Sequence, residues 1–588
     1  YFRCEVPVKE IVEGSHYLQV EAFSKNGQST KAVRQLVIEH RDAYDAWLEE
    51  NAAKEAEAPL PGPHAPKISI VTPVYKTPLQ WLRKCIDSVR NQTYSNWELC
   101  LIDDASGDPE LTQVMEEYAR ADARIRIRTL DANLGIAGAS NVGIAMATGE
   151  YIGFLDHDDV LVPVALAEVA SRAEGDDAPD VVYSDEDMIS AEDRRYAPVF
   201  KPDFSPELLW SCNYICHFLV VRASLLRELE GIRIGFDGAQ DYDLILRLFE
   251  KTSRFHHIPR VLYHWRAVPG STAMSLAAKP AASENGRRAL QDHLDRTGRK
   301  AVASAIETCR YRVRFHLEEE PEVLIVVPTG GNIPRLRECV ASVLEKTEYS
   351  RYRLMITDNS NGPETEEYVM SINDPRLVWR DFRNHPFNFS RLCNQSVAGD
   401  AAPLYLFLND DTKVVESQWL RVMAEFGAQP GVGVVGARLL YPDGSIQHGG
   451  VLMGVYGLAG HAFRLQDGKE GHYMTLASST RNCAAVTGAC LLTTREAFEA
   501  EGGFDEVEFP VNLQDVDYCL KVQASGRRVV YAPEATLLHY ETSTRKDFGA
   551  SSREMQVMRE RWGAWIENDP YYNPNLTRTK EDFSLRFD

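Results

Sequence analysis

The chain has 588 residues, so two or more domains are expected, because single hydrophobic cores stop growing at roughly 250–300 residues. It is 44% hydrophobic and 26% charged, as globular proteins usually are, and its net charge is −22. That charge argues against a nucleic acid as the main partner. It also means that a phosphate-bearing ligand needs local compensation, such as a metal ion.

Localisation is constrained only weakly. No run of about 18 apolar residues is present, so no transmembrane helix is predicted. The chain begins at Tyr1 without Met, and we expect it to be part of a longer polypeptide, so a missing signal peptide carries little information. The 11 cysteines form no CxxC pair, which favours buried free thiols in a reducing cytoplasm over disulfides or zinc sites.

The first 66 residues differ from the rest. Residues 1–40 alternate as short strands do, with an Asn-Gly turn within 25–28, and predict a small β-rich fragment of an N-terminal domain. Residues 41–66 predict a helix followed by a proline-rich linker.

From residue 67 onward, apolar strand patterns alternate with amphipathic helix patterns. "KISIVTPVY" (67–75), "WELCLIDDAS" (97–106) and "YIGFLDHDD" (151–159) are predicted strands, and two of them run directly into carboxylates. Alternation of strands and helices is typical of an α/β domain with a mostly parallel sheet.

This pattern occurs twice. "EVLIVVPTGG" (322–331) repeats the first strand, and Pro328 follows Pro73 by 255 positions (328 − 73). Asp411 follows Asp158 by 253 positions (411 − 158), and Asp515 follows Asp241 by 274 (515 − 241), so copy two is about twenty residues longer between them. We therefore predict two tandem copies of one α/β domain. Their ranges are 67–300 for domain 1, 301–321 for a connector, 322–575 for domain 2 and 576–588 for a C-terminal tail.

Acids at the second strand of each copy are candidates for nucleotide binding. Asp103 and Asp104 end this strand in copy one, and we match Asp358 to Asp104. Ligands of open α/β sheets bind at the carboxyl ends of strands, where a carboxylate can accept hydrogen bonds from a base or ribose. The alternative is a loop or helix cap.

A later strand end carries candidate metal ligands. Asp156 and Asp158 follow it in copy one, and Asn409 and Asp411 follow it in copy two. Oxygen ligands of this kind suit Mg²⁺ or Mn²⁺ bridging a diphosphate, whereas the alternative is a solvated turn. His264 and His539 each follow a late strand and are predicted third ligands, although a lone histidine is more often structural.

Asp241 and Asp515 each follow a glutamine and begin a helical pattern. Each is a candidate general base for an acceptor hydroxyl; the alternative is an acid favoured by the helix dipole. A nucleotide-binding strand end, a divalent metal and a carboxylate base together suit displacement of a nucleoside diphosphate by a hydroxyl.

These residues resemble the family 2 glycosyltransferases of GT-A fold. The resemblance covers about residues 67–266 and 322–545, and copy two is similar to rhamnosyl- and galactofuranosyl-type enzymes. It implies an α/β chain of two tandem GT-A, Rossmann-like domains that invert the anomeric centre by in-line attack. The motifs that carry it include "LIDDAS", "FLDHDD", "YSDED", "QDYDLILRL" and "LYHWR" in copy one, and "ITDNSN", "LFLNDD", "VTGACLL" and "NLQDVDYCLK" in copy two.

The resemblance also assigns roles. It implies nucleotide-binding roles for Thr72, Pro73, Asp103, Asp104, Pro328, Thr329 and Asp358, metal-binding roles for Asp156, Asp158, His264, Asn409, Asp411 and His539, and catalytic roles for Asp241 and Asp515. Two positions depart from the family pattern. Gln240 stands where many relatives have Glu, and Asn409 replaces the first metal acid.

The expected function is that of a bifunctional, inverting, Mn²⁺- or Mg²⁺-dependent glycosyltransferase. It would transfer sugars from UDP-, dTDP- or GDP-linked donors to a growing bacterial surface polysaccharide. We expect a lipid-linked acceptor, no nucleic acid partner, and a cytoplasmic location with peripheral association at the inner face of the cell membrane. The alternatives are that one copy only binds glycan or acts as a scaffold and, more remotely, that the chain is a sugar nucleotidyltransferase.

The segments between the metal motif and the base, 201–221 and 447–468, differ between the copies. We expect this difference to give the copies different donors or acceptor ends. Trp210, Tyr214 and Trp265 are candidates for stacking on sugar rings, or alternatively for the core.

Overall fold

The computed structural model describes residues 14–23, 29–38, 43–267, 280–541 and 550–587. The chain divides into one compact unit up to Lys54 and a second from Glu55 onward. The first unit contains the antiparallel pair β1 (Gly14–Phe23) and β2 (Ser29–Ile38), and helix α1 (Ala43–Ala56) begins in it. The predicted Asn-Gly turn within 25–28 lies outside the described residues.

Copy one forms a mixed parallel and antiparallel β-sheet with helices on its faces. Its strands are β3 (Ile68–Val74), β4 (Trp97–Asp103), β5 (Ile125–Thr129), β6 (Tyr151–Phe154), β7 (Val160–Leu161), β8 (Val181–Ile189), β9 (Arg195–Val199), β10 (Val220–Arg222) and β11 (Phe255–Arg266). Its helices are α2 (Leu79–Arg90), α3 (Pro109–Ala121), α4 (Gly135–Met146), α5 (Ala165–Arg172), α6 (Pro206–Ser211), α7 (Ala223–Glu228), α8 (Gln240–Phe249) and α9 (Pro280–Arg296).

The hairpin of β12 (Ala301–Glu307) and β13 (Arg310–Phe315) precedes copy two. The later strands are β14 (Val323–Thr329), β15 (Tyr352–Asp358), β16 (Leu377–Asp381), β17 (Leu404–Leu408), β18 (Thr412–Val414), β19 (Val432–Leu440), β20 (Ile446–His448), β21 (Val451–Met453), β22 (Ala459–His461), β23 (Arg481–Asn482), β24 (Cys490–Thr494) and β25 (Arg528–His539). The later helices are α10 (Ile333–Lys346), α11 (Glu364–Met370), α12 (Phe389–Val397), α13 (Trp419–Gly427), α14 (Arg495–Ala500), α15 (Gln514–Ala524) and α16 (Ser552–Glu567).

The two main sheets have the same strand order. Copy one runs β5-β4-β3-β6-β10-β8-β11-β7, and copy two runs β16-β15-β14-β17-β24-β19-β25-β18. In each sheet the first four strands are parallel, and the later short strands pair antiparallel. The matching order confirms the predicted tandem α/β repeat.

The central strands explain why both copies fold in this way. Every residue of β3, β4 and β14 is buried, as expected for mostly apolar parallel strands covered on both faces. The amphipathic helices α2 and α10 pack their apolar sides toward the sheets, with Leu82, Ile86, Leu336 and Val340 fully buried. This places the carboxyl ends of β3, β4 and β6 at one edge.

Trp210 and Tyr214 are core residues, at 2% and 4% exposure, so neither is free to stack on a sugar. The ten cysteines among the described residues are free, as predicted. No helix in the described part of the chain combines the length and apolar character needed to cross a bilayer.

The two copies share buried hydrogen bonds. The Asn573 side-chain amide donates to both carboxylate oxygens of Asp185, at 2.9 and 3.1 Å, and to the carbonyl of Lys201 at 2.9 Å. Asp185 is fully buried on β8 of copy one, whereas Asn573 follows α16 of copy two. A buried carboxylate must be hydrogen-bonded to be tolerated, so copy one relies on copy two to satisfy part of its interior.

Two further contacts continue this seam between the copies. The Ser205 hydroxyl donates to the side-chain oxygen of Asn482 at 2.8 Å, and both side chains are buried. The Arg528 guanidinium donates to the buried carboxylate of Glu207 at 2.9 Å. The seam therefore contains buried polar contacts, which favour a fixed arrangement of the two copies.

We predict that Asn573→Ala lowers the free energy of unfolding by about 1–3 kcal/mol, because it removes donors from a buried carboxylate. Urea denaturation followed by tryptophan fluorescence measures this change. Asn361→Ala, at an exposed position, is the matched control. Equal stability of the two variants would contradict the proposed dependence of Asp185 on Asn573.

Candidate active sites

A cavity of about 850 Å³ opens at the strand ends of copy two. Its size is within the usual range for small-molecule sites. Six predicted site residues line it, namely Pro328, Thr329, Asn409, Asp411, Asp515 and His539. The structure therefore brings the predicted nucleotide, metal and base residues of copy two to one place, with the exception of Asp358.

Three predicted metal-binding side chains converge in this cavity. His539 Nε2 lies 3.2 Å from Asp411 Oδ1 and 3.4 Å from the side-chain nitrogen of Asn409. They meet because β18 pairs antiparallel with β25, which sets Thr412 opposite His539. A carboxylate, an amide and an imidazole form a donor set that fits a hard divalent cation.

Asp410, beside these residues, has a different role. Its carboxylate accepts a hydrogen bond from the Thr329 hydroxyl at 2.6 Å. Burial raises the pKa of Asp410 to about 6. Asp410 therefore joins the predicted nucleotide-contacting loop to the turn that carries Asn409 and Asp411.

In copy one the structure does not bring His264 into a corresponding set. His264 Nδ1 lies 2.5 Å from Asp187, which also pairs with Arg195 at 2.6 Å. Within the described ranges, no three His, Cys, Asp or Glu side chains converge as a metal-binding group. Copy one therefore offers Asp156 and Asp158 without the predicted histidine.

The strand register gives the reason. The same ladder position holds Phe154 opposite Val71 in copy one and Phe407 opposite Val326 in copy two. Val160 lies as far beyond Phe154 as Lys413 lies beyond Phe407, so these two residues correspond. Their partners on the last strand are His264 and Leu538 respectively, so Trp265 is the counterpart of His539. The predicted equivalence of His264 and His539 is wrong by one residue, and a one-residue shift turns a strand side chain to the opposite face.

Copy one instead surrounds its acids with residues that the sequence did not single out. Asp159, the counterpart of Thr412, accepts hydrogen bonds from the Arg266 backbone N–H at 2.6 Å and the Tyr263 hydroxyl at 2.5 Å. Burial, together with the charges of Asp156 and Asp158, raises the pKa of Asp159 well above its ordinary value.

His217 is the second such residue. Its Nδ1 lies 3.0 Å from Glu186, and its ring stacks on Tyr263 with centroids 4.6 Å apart. Burial disfavours the cation, but the hydrogen bond and charge of Glu186 outweigh it, and the pKa of His217 rises to about 9. No repeated motif contains His217. The only signal in the sequence was the "YSDED" motif on β8, which contains its partner Glu186.

The two candidate bases occupy equivalent positions at the start of α8 and α15. Asp515 accepts hydrogen bonds from the backbone N–H of Gly488 at 2.7 Å and of Val516 at 2.9 Å. Asp241 accepts one from the side-chain amide of Asn213 at 2.9 Å. Burial raises the pKa of both carboxylates, which strengthens them as proton acceptors while they remain ionised.

The predicted equivalence of Asp104 and Asp358, the candidate nucleotide-binding acids, is wrong by one residue. Val74 pairs with Asp103 and Thr329 with Asp358, so Asp358 corresponds to Asp103, and Asn359 corresponds to Asp104. The amides of Asp104 and Asn359 each donate at 2.9 Å to the carbonyl of the preceding strand end, which confirms this register.

These carboxylates brace their loops. Asp104 Oδ1 accepts the N–H of Leu134 at 2.6 Å, and Asp103 Oδ1 accepts the N–H of Ser106 at 2.9 Å. Asp358 accepts the N–H of Ser360 at 2.9 Å and the indole N–H of Trp379 at 3.2 Å. All three are buried, and each carboxylate keeps lone pairs beyond these bonds.

The two predicted threonines are not equivalent. Thr72 is fully buried on β3, ahead of Pro73, and its hydroxyl bonds to none of the described residues. Thr329 follows Pro328 and lines the cavity of copy two. The structure therefore places Thr329, but not Thr72, at a ligand-accessible surface.

Comparison with known proteins assigns both halves. Residues 69–229 match the family model described as Glycosyl transferase family 2, and residues 321–563 match Glycosyltransferase like family 2. The chain belongs to glycosyltransferase family 2. Both matched regions are family 2 glycosyltransferase domains of GT-A fold, and this membership argues against the sugar nucleotidyltransferase alternative.

Two longer proteins are similar to most of this family 2 chain. It is 42% identical over 536 residues to the uncharacterized protein y4gI of Sinorhizobium fredii, covering 89% of this chain and 59% of that one. It is 40% identical over 553 residues to the O-antigen biosynthesis protein RfbC of Myxococcus xanthus, covering 92% of this chain and 43% of that one. The chain thus spans about half the length of these relatives.

A shorter relative is covered more completely. The uncharacterized glycosyltransferase EpsJ of Bacillus subtilis is 31% identical over 239 residues, which is 38% of this chain and 68% of EpsJ.

Family 2 enzymes typically depend on a divalent metal ion, and Asn409, Asp411 and His539 of copy two form a donor set that fits such an ion.

We predict that His539→Ala weakens Mn²⁺ binding at copy two by about tenfold or more, because it removes one of three convergent donors. His264→Ala should leave Mn²⁺ binding within about twofold of wild type, because the strand register turns His264 to the face opposite that of Trp265, the counterpart of His539. Isothermal titration of Mn²⁺ in the presence of UDP measures both. Equal weakening by the two variants would contradict the register described above.

We also predict where copy two loses activity in acid. Since burial raises the pKa of Asp515, the base should become protonated, and the rate should fall, at a pH above the ordinary aspartate pKa of about 3.9. The rate should be fully present above the raised pKa and decline as the pH drops through it. A pH–rate profile in an Asp241→Asn background measures this, and an acid limb at or below the ordinary value would contradict the assignment.

Proposed function

We propose that this chain is a bifunctional, inverting, divalent-metal-dependent glycosyltransferase that extends a bacterial surface polysaccharide. The observation that carries the proposal is that Asp515, Asp411, Asn409 and His539 line one and the same cavity. It sets a proton acceptor and a cation-binding set around one space large enough for a sugar nucleotide.

The roles of the residues follow from their contacts. In copy two, the amides of Gly488 and Val516 hold the Asp515 carboxylate, which accepts the proton of the attacking acceptor hydroxyl. Asn409, Asp411 and His539 would hold Mn²⁺ or Mg²⁺, which when bound neutralises negative charge on a diphosphate leaving group. Attack by a hydroxyl activated on the side opposite that leaving group inverts the anomeric centre.

Copy one supplies the same parts in a different electrostatic setting. Asp241 is its base, oriented by Asn213, and the charge of Asp156 acts on it. Asp156 and Asp158 would hold the metal. The cationic ring of His217 acts electrostatically on Asp156 and Asp241, so it lies where it can also stabilise a departing phosphate.

One relative supports the polysaccharide part of the proposed substrates. RfbC is named for O-antigen biosynthesis, which supports a surface polysaccharide as the acceptor. We propose UDP-, dTDP- or GDP-linked sugars as donors and a lipid-linked glycan acceptor, reached by peripheral association at the cytoplasmic face of the membrane.

A second candidate function is favoured by one observation. Copy one has Trp265 in the position of His539, so its metal-binding set is smaller than that of copy two. In this version only copy two transfers sugar, and copy one binds the glycan or acts as a scaffold.

We predict that Asp241→Asn and Asp515→Asn each stop chain growth after one kind of residue or linkage, whereas the wild type polymerises. The assay uses Mn²⁺, a panel of sugar nucleotides and an oligosaccharide acceptor, with products read by mass spectrometry. Asp237→Asn, at an exposed position before α8, is the control and should polymerise normally. Wild-type behaviour of Asp241→Asn would make copy one a binding or scaffold domain.

A further inference from the structure

Copy two contains a pair of histidines in the stretch where it is longer than copy one. His448 ends β20 and His461 ends β22. Their Nδ1 atoms lie 2.8 Å apart, and the rings meet edge to face with centroids at 4.9 Å. His448 is fully buried, whereas His461 lines the cavity beside Asp411 and Asp515.

The contacts of the pair determine where each proton lies. His448 Nε2 faces the backbone N–H of Thr487 at 3.3 Å, and a backbone amide can only donate, so this nitrogen is the acceptor. Neutral His448 must then carry its proton on Nδ1 and donate it to Nδ1 of His461. Neutral His461 in turn carries its proton on Nε2.

Both rings are neutral in ordinary conditions. Burial lowers the pKa of His448 well below its usual value, and burial lowers that of His461 to about 4. The shared hydrogen bond itself requires one ring to accept at Nδ1, which a cation cannot do. His461 is therefore fixed as a neutral donor.

The position of this donor is also fixed. The backbone N–H of His461 donates to the Glu581 carboxylate at 2.6 Å, which anchors β22. The contacts of His461 within the described ranges are those of its Nδ1, its backbone and its ring face, none of them at Nε2, and His461 lines the cavity. The amide of Thr487 orients His448, and the next amide, of Gly488, holds the base Asp515. One backbone segment thus positions both the base and the donor relay.

We propose that His461 is a specificity-determining residue of copy two that donates its Nε2–H to an oxygen of a sugar, with His448 as the positioning residue that fixes its tautomer; this rests on the proposed glycosyltransferase function. A neutral donor suits an uncharged hydroxyl or ring oxygen, whereas a phosphate would favour a cation. A site built to bond a hydroxyl discriminates strongly against a sugar that lacks it. The oxygen belongs either to the donor sugar or to the acceptor.

The kinetic test uses the full chain with Asp241→Asn, so that only copy two turns over. We expect His461→Ala and His461→Phe to raise KM about tenfold for one substrate, and His461→Gln, which keeps a donor, to recover most of it. A rise in the sugar-nucleotide KM assigns the oxygen to the donor, and a rise in the oligosaccharide KM assigns it to the acceptor. His316→Ala, at an exposed position, is the control.

Kinetic values of all variants within about twofold of the parent would overturn the proposal. So would an equal loss in His461→Gln accompanied by a lowered Tm, because that outcome marks a purely structural role.

A second measurement does not depend on turnover. Nitrogen-15 NMR of histidine-labelled wild-type protein, assigned with His448→Gln and His461→Gln, reports which ring nitrogen carries each proton. We expect the His461 proton on Nε2, and a shift of that signal with a sugar nucleotide or the oligosaccharide but not with UDP alone. A proton on Nδ1, or no shift with any sugar, overturns the inference. If the ring behaves as expected but copy two transfers no sugar, the failure lies with the proposed function.

Discussion

The register of the last long strand against its parallel neighbour decides which side chains each copy presents to the acids at the sheet edge. In copy one, β11 takes up extra residues at two bulges, between Ile258 and Val261 and between Val261 and Tyr263. In copy two, β25 takes them up at one bulge after Ala532. Because both paths regain the same register beyond the bulges, Trp265 and His539 fall at the same place, and the two sites acquire different chemistry from one fold.

The architecture was predictable because burial on both faces gives strands a continuous apolar pattern, and because the pattern occurs twice. The gathering of Pro328, Thr329, Asn409, Asp411, Asp515 and His539 at one cavity also followed from that pattern, since parallel strands end at one edge. Aligning the two copies by identical residues was less reliable for single positions. It made Asp358 the equivalent of Asp104 and His539 the equivalent of His264. The strand registers instead make Asp358 the equivalent of Asp103 and His539 the equivalent of Trp265.

The residues that the sequence did not reveal lie in the segments where the copies differ. His217, His448 and His461 have no repeated partner, and their contacts arise from hairpins and loops whose paths depend on tertiary packing. Their roles are set by which atom faces which amide or carboxylate, and no periodicity carries that information. The burial of Trp210 likewise follows from the packing of α6, which is too short to have a clear apolar period, and Tyr214 lies in the loop after that helix.

The two sites differ in how charge is managed. Copy one places a cationic His217 and the Arg266 guanidinium near its acids, whereas copy two keeps His448 and His461 neutral. In a chain with a net charge of −22, positive charge near an anionic ligand must be supplied locally, and the copies supply it to different degrees. Such a difference is a physical basis for two sites of one fold selecting different ligands.

The hydrogen bonds from Asn573 to Asp185 join residues 388 positions apart. During synthesis, at about 5–20 residues per second, copy one emerges first and must wait roughly 20–80 s for this partner. The buried carboxylate of β8 therefore stays incompletely bonded while copy two is still being made. Lys201 and His257 of copy one already contact Asp185, but the carboxylate gains the bonds from Asn573 only when the last part of copy two has folded, so this step of copy one's maturation waits for copy two.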